Sequence, residues 1–157
     1  MVAAAVRSGL EILRGAGDGP MPPCSAHLGW EAIDISPGVA RVRFTARPEF
    51  CNPMGHVQGG FIAAMLDDAM GPAAFSMLDE GTFAPTLEMK VTFLRPARPG
   101  TLIGEGRVVR MTGGVAFLEG LLFSEDGELL ATSTATARLL PSRAAGSNVP
   151  LPVSGRG

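Results

Sequence analysis

The chain carries one strong helical signal, and past residue 20 every other periodic stretch alternates. From Gly59 to about Leu78, the residues Ile62, Leu66, Ala69, Met70, Ala73 and Met77 recur at i, i+3, i+4 and i+7. That spacing lines apolar side chains along one face of a helix. Pro72 lies inside the run and has no amide to give to the helical ladder, so a bend or break is expected there. Elsewhere the period is two. Residues 30–35 and 39–45 alternate on either side of Ser36-Pro37-Gly38. Before them, Pro22-Pro23 reads as a bend that bars a helix. Past the helix, Leu87, Met89, Val91 and Phe93 are expected to face inward, with Glu88, Lys90 and Thr92 outward. Residues 101–111, 115–124 and 128–140 follow as strands, separated by Gly113-Gly114 and by Glu125-Asp126-Gly127.

Four consecutive strands joined by short turns imply an antiparallel sheet, and the one long helix must cover a face of it. The fold class is therefore α+β. A chain of 157 residues makes one such domain and has no second layer for the other face and the edges, which favours a homo-oligomer. Residues 1–20 read as an N-terminal helix and linker, 21–140 as the domain, and 141–157 as a tail without periodicity, expected to be disordered.

Composition excludes several functions. With 13 Lys+Arg against 15 Asp+Glu, the net charge of -2 offers nothing to a phosphate backbone, so nucleic acid is not an expected partner. Cys24 and Cys51 are too few for a disulfide scaffold. Neither His27 nor His56 has metal-ligand spacing, so no metal is expected. No apolar run approaches the ~20 residues that span a bilayer, and no leader is apparent, so no membrane partner and a cytoplasmic location are expected.

Chemistry concentrates in Asn52-Pro53-Met54-Gly55-His56-Val57-Gln58-Gly59-Gly60 and in Met65-Leu66-Asp67-Asp68, where Asp67 stands nine residues past Gln58. Gly59 opens the helix, where backbone N–H groups lack an intrahelical partner and attract negative charge. Without a side chain, it lets a ligand carbonyl approach the backbone, as an oxyanion hole requires. Around Asp67, Ala63, Ala64, Gly71 and Ala74 are all small and leave room for a substrate. Taken singly, each of these residues is commonplace. Their joint spacing singles them out.

This segment resembles the hotdog-fold thioesterases of the PaaI (phenylacetate-degradation) type. The opening GLEILRG, MPP and LGW, the stretch PTLEMKVTFLRPARPG, and the Leu-Leu-Ala of the final hairpin match as well, so the likeness runs over residues 9–140. It implies a long helix wrapped by a curved antiparallel sheet, which agrees with the order of elements above. It also implies an acyl-coenzyme A thioesterase that needs no cofactor, since coenzyme A belongs to the substrate. Asp67 would be the catalytic carboxylate, as base or as nucleophile. Gly59 would be the oxyanion donor with Asn52 beside it, and Thr86 would help position water.

Most relatives carry His where this chain has Gln58, which can orient a carbonyl but cannot supply a proton. Phe61, Met65 and Phe83 are expected to line the acyl pocket, and Arg95 and Arg98 to meet coenzyme A phosphates. Gly59 and Asp67 stand about 12 Å apart along one helix at ~1.5 Å per residue. The family answers this by pairing subunits, so a homodimer or homotetramer with active sites at the subunit interface is expected. The alternative is a non-catalytic acyl-coenzyme A binding module of the same fold. A hotdog dehydratase is disfavoured by the lack of an aligned His.

Overall fold

The computed structural model describes Gly9, Glu11 and residues 21–141. The N-terminal helix and linker therefore lie almost wholly outside the described residues, and the expected tail lies outside them from residue 142 on. A short helix α1 (Pro23–His27) leads into β1 (Glu31–Ser36) and β2 (Val39–Ala46). A single 3-10 turn (Pro48–Phe50) and a loop then deliver the chain to α2 (Gly59–Phe75). Beyond it come β3 (Thr82–Phe83), β4 (Thr86–Phe93), β5 (Gly100–Thr112), β6 (Val115–Ser124), β7 (Leu129–Arg138) and β8 (Leu140–Pro141).

Six strands form one antiparallel sheet in the order β1-β2-β5-β6-β7-β4, and β3 pairs with β8 apart from it. The helix lies on the face where Val42, Phe44, Leu102, Leu122 and Ala131 are buried, and it adds Ile62, Met65, Leu66 and Ala69 to that core. Strand β2 shows the alternation most cleanly, with Ala40, Val42, Phe44 and Ala46 buried and Val39, Arg41, Arg43 and Thr45 exposed. Glycines set how closely the layers approach. A Cβ on Gly106 would stand 2.2 Å from the Ala69 carbonyl oxygen, so the helix backbone rests directly on β5.

Several local expectations are corrected. Pro22-Pro23 does not bar a helix, because Pro23 occupies the first turn of α1, where no amide is needed. Pro72 does not break α2, which runs unbroken from Gly59 to Phe75. A proline at 72 leaves the Asp68 carbonyl without its amide four residues on, and the Trp30 indole N–H donates to that carbonyl at 3.2 Å instead. The helix ends before Leu78, and Met77 is exposed rather than on the buried stripe. In β4 only Met89 and Val91 turn partly inward, while Leu87 and Phe93 are 62% and 54% exposed. That strand is a sheet edge with a register shift between Thr86 and Glu88, which throws Leu87 out of the alternation.

Candidate active site

The loop before α2 is held at both ends. Cys51 bridges Val57, the Val57 N–H donates to the Ala97 carbonyl at 2.9 Å, and the Gln58 N–H donates to the Phe50 carbonyl at 2.8 Å. Asn52 shapes what lies between. Its Oδ1 accepts from the Met54 and His56 amides at 2.9 and 3.2 Å, a turn that Gly55 closes with φ 77°. The carbonyl end of the Asn52 side chain is thus spent on the loop, and only its NH2 end remains for a ligand.

At the helix start, Gln58 is the N-cap, and its Oε1 accepts from the Gly60 N–H at 2.6 Å. The Gly59 N–H has no protein partner among the described residues. Phe93, the last residue of β4, lays its ring against Gly59, where an added Cβ would stand 3.1 Å from the ring. The sequence reading missed this contact because it placed Phe93 inward.

Two turns further on, Asp67 is exposed, and its Oδ1 accepts from the Thr86 Oγ1 at 2.9 Å. Two residues 19 positions apart in sequence, both expected at the site, are therefore joined. The edge strand β4 spans the whole arrangement. Its first residue holds Asp67, and its last covers Gly59. Because α2 is continuous, the ~12 Å between Gly59 and Asp67 stands.

The neighbouring carboxylate, Asp68, turns the other way. Its Oδ1 accepts from the Ser25 hydroxyl at 3.1 Å, and its Oδ2 is buried with no partner among the described residues. Burial pushes the Asp68 carboxyl above the ordinary range; the Ser25 hydrogen bond opposes this and the Asp67 charge adds to it. The sequence set Asp68 beside Asp67 and Trp30 at the start of a strand, but its pattern gave no sign that Ser25, Trp30 and Asp68 meet. The one available signal was Pro72, four residues past Asp68.

The expected substrate contacts are dispersed. Phe61 is half-buried and stacks on Phe50 with centroids 4.2 Å apart, and the Arg47 guanidinium lies over Phe50 at 4.9 Å. Met65 is wholly buried in the core. Phe83 is exposed on β3. Arg95 is exposed but bound to Glu128 at 2.8 Å, whereas Arg98 is exposed and makes no ion pair among the described residues. The described residues contain no group of three or more side chains that could hold a metal ion, and no helix among them is long and apolar enough to cross a membrane.

Comparison with known proteins agrees with this architecture. Residues 54–131 match the family model described as the thioesterase superfamily. A protein of Saccharolobus solfataricus, named "Putative esterase SSO2140", is 31% identical over 99 residues, which is 63% of this chain and 70% of that protein. The crystal structure of a thioesterase-type, phenylacetic acid degradation-related protein from Ralstonia eutropha JMP134 superposes with a TM-score of 0.77 at 36% identity, covering 84% of this chain and 99% of that one. A Streptococcus mutans UA159 protein, solved bound to acetyl-CoA, shares the fold with a TM-score of 0.67 at 22% identity over 73% of this chain and 91% of that one. The architecture is that of a hotdog-fold thioester hydrolase, and the chain belongs to the thioesterase superfamily.

Proposed function

We propose that this protein hydrolyses acyl-coenzyme A thioesters at sites shared between two copies of the chain. The observation that carries the proposal is the hydrogen bond from Thr86 to Asp67, which holds one carboxylate oxygen at the start of the edge strand and leaves the other free. Asp67 takes a proton from water as the water oxygen attacks the thioester carbon. The carbonyl oxygen, gaining charge, is met by the Gly59 N–H at the positive end of α2. The carbon–sulfur bond then breaks, and the departing thiolate takes the proton from Asp67, leaving the free acid and coenzyme A. Gln58 serves by fixing the helix start through Gly60, and the Asn52 NH2 group lies on the loop beside it. Phe61 and Phe83 bound the acyl side and Arg98 attends the phosphates, while Met65 stays in the core and Arg95 holds Glu128. The acetyl-CoA held by the Streptococcus mutans protein supports coenzyme A as the carrier.

One thioester carbon cannot reach Gly59 and Asp67 of the same helix. Strand β4 offers the solution. Its outer edge is unpaired in the six-stranded sheet, and Leu87, Phe93 and Leu94 are exposed along it. Antiparallel pairing of two such edges about a two-fold axis sets Thr86 of one copy opposite Phe93 of the other. That brings Asp67 of one chain toward Gly59 of its partner.

The test is thiol release from acetyl-, octanoyl-, palmitoyl- and benzoyl-coenzyme A by the wild type and by Asp67→Asn and Asp67→Ala. The proposal expects turnover of at least one substrate and none by either folded variant. Undiminished hydrolysis in both variants rejects Asp67 as the catalytic group.

A further inference from the structure

Asp68 is a second carboxylate beside Asp67, and the reaction above gives it no task. Two hydrogen bonds from one distant segment converge on this residue. The Ser25 hydroxyl, on α1 and only 5% exposed, donates to its side chain at 3.1 Å. The Trp30 indole, three residues beyond the end of α1, donates to its backbone carbonyl at 3.2 Å. That carbonyl is free to be bound only because Pro72 withholds the usual helical amide.

We propose that Asp68 is a positioning residue for Asp67: with Ser25 and Trp30 it clamps the α1–β1 segment onto the one turn of α2 that carries the catalytic carboxylate. The inference rests on the assignment of Asp67 made above. Without the clamp, the turn holding residues 67 and 68 would have an unmatched carbonyl and a loose flank, and the Asp67 carboxylate would lose its fixed placement against Thr86. Burial leaves the Asp68 Oδ2 without a partner among the described residues, so the Ser25 hydroxyl is the side-chain contact that fixes this carboxyl. The upward displacement of the Asp68 proton affinity by burial and by the Asp67 charge records the same underpaired setting and the closeness of the two groups.

The test compares kcat, KM and melting temperature for the full-length wild type and for Asp68→Ala, Ser25→Ala, their double variant and Asp68→Asn, with octanoyl- and benzoyl-coenzyme A as probes. Displacement of a reacting group by about 1 Å costs up to ~100-fold, so Asp68→Ala and Ser25→Ala should each lower kcat by ~10- to 100-fold while KM stays within about twofold. The double variant should be no worse than the worse single, because both changes undo one contact. Asp68→Asn, which keeps the acceptor for Ser25, should recover most of the loss. A fall in melting temperature with wild-type kcat in the folded singles overturns the proposal, as does additive loss in the double. Asp67→Asn is the control. If it retains wild-type hydrolysis, the assignment of Asp67 fails and the clamp fails with it; if it is inactive while the Asp68 and Ser25 variants are fully active, only the clamp fails.

Discussion

At the scale of single residues, the site is a division of labour among short polar contacts. Thr86 spends its one donor on Asp67. Thr86→Val keeps the shape and removes that donor, so kcat should fall by ~10-fold or more while the melting temperature moves little, since both groups are exposed. Steady-state kinetics beside a thermal melt would check it. Asp68 gives a pH prediction. Its folded carboxyl binds a proton more tightly than the unfolded chain does, mainly because it is buried. The stability this lends is complete below the ordinary carboxylate range and is lost as pH rises through the folded value. An amide does not titrate, so Asp68→Asn should gain in melting temperature relative to the wild type on going from about pH 4 to about pH 7.

Legibility at this scale followed the range of the signal. Gly59 and Asp67 stand in one helix at a readable spacing, and the resemblance pointed to Thr86. The partners of Asp68 were not readable, because Ser25 and Trp30 lie 43 and 38 positions away and reach it only through the fold. Gln58 was read as a group orienting a carbonyl. The structure gives its Oε1 to the Gly60 amide, a local capping bond that competes with any role at the substrate.

At the scale of elements, α2 is held by what its sequence lacks. Gly106 on β5 admits its backbone, Gly120 on β6 admits the Met70 side chain, and Pro72 opens a carbonyl that Trp30 fills. Trp30→Phe should cost at least ~1–3 kcal/mol in denaturant unfolding, from the unmatched carbonyl and lost packing. In a Pro72→Ala background the helix can supply its own amide to Asp68. The carbonyl part of the cost should therefore shrink, and a double-mutant cycle should show coupling between positions 30 and 72. Equal costs in the two backgrounds would contradict this account of the unbroken helix. Periodicity found the helix and the strands, because burial on one face writes itself into sequence as a repeat. It misplaced Leu87, Phe93 and Met77, because an edge strand and a helix terminus have no buried face to enforce the pattern.

At the scale of the whole molecule, the proposed mechanism requires each chain to supply two half-sites, since Gly59 and Asp67 stand ~12 Å apart along a single helix. The α+β architecture was legible from the order of periods alone. The expected pairing of halves came from the uncovered sheet, the distance along the helix and the family resemblance, since nothing local in a sequence records a partner across a two-fold axis. Strand β4 links the scales: its first residue holds Asp67, its last covers Gly59, and it lies at the edge of the six-stranded sheet with Leu87 and Phe93 exposed. The most direct test combines two dead proteins. Asp67→Asn and Gly59→Val, each confirmed folded and oligomeric, should be inactive alone. After co-expression with different tags, random pairing of dimers should restore about a quarter of wild-type thiol release, because half the dimers are mixed and each mixed dimer contains one intact site. Mixed dimers with no activity above either parent would contradict a site built from two chains.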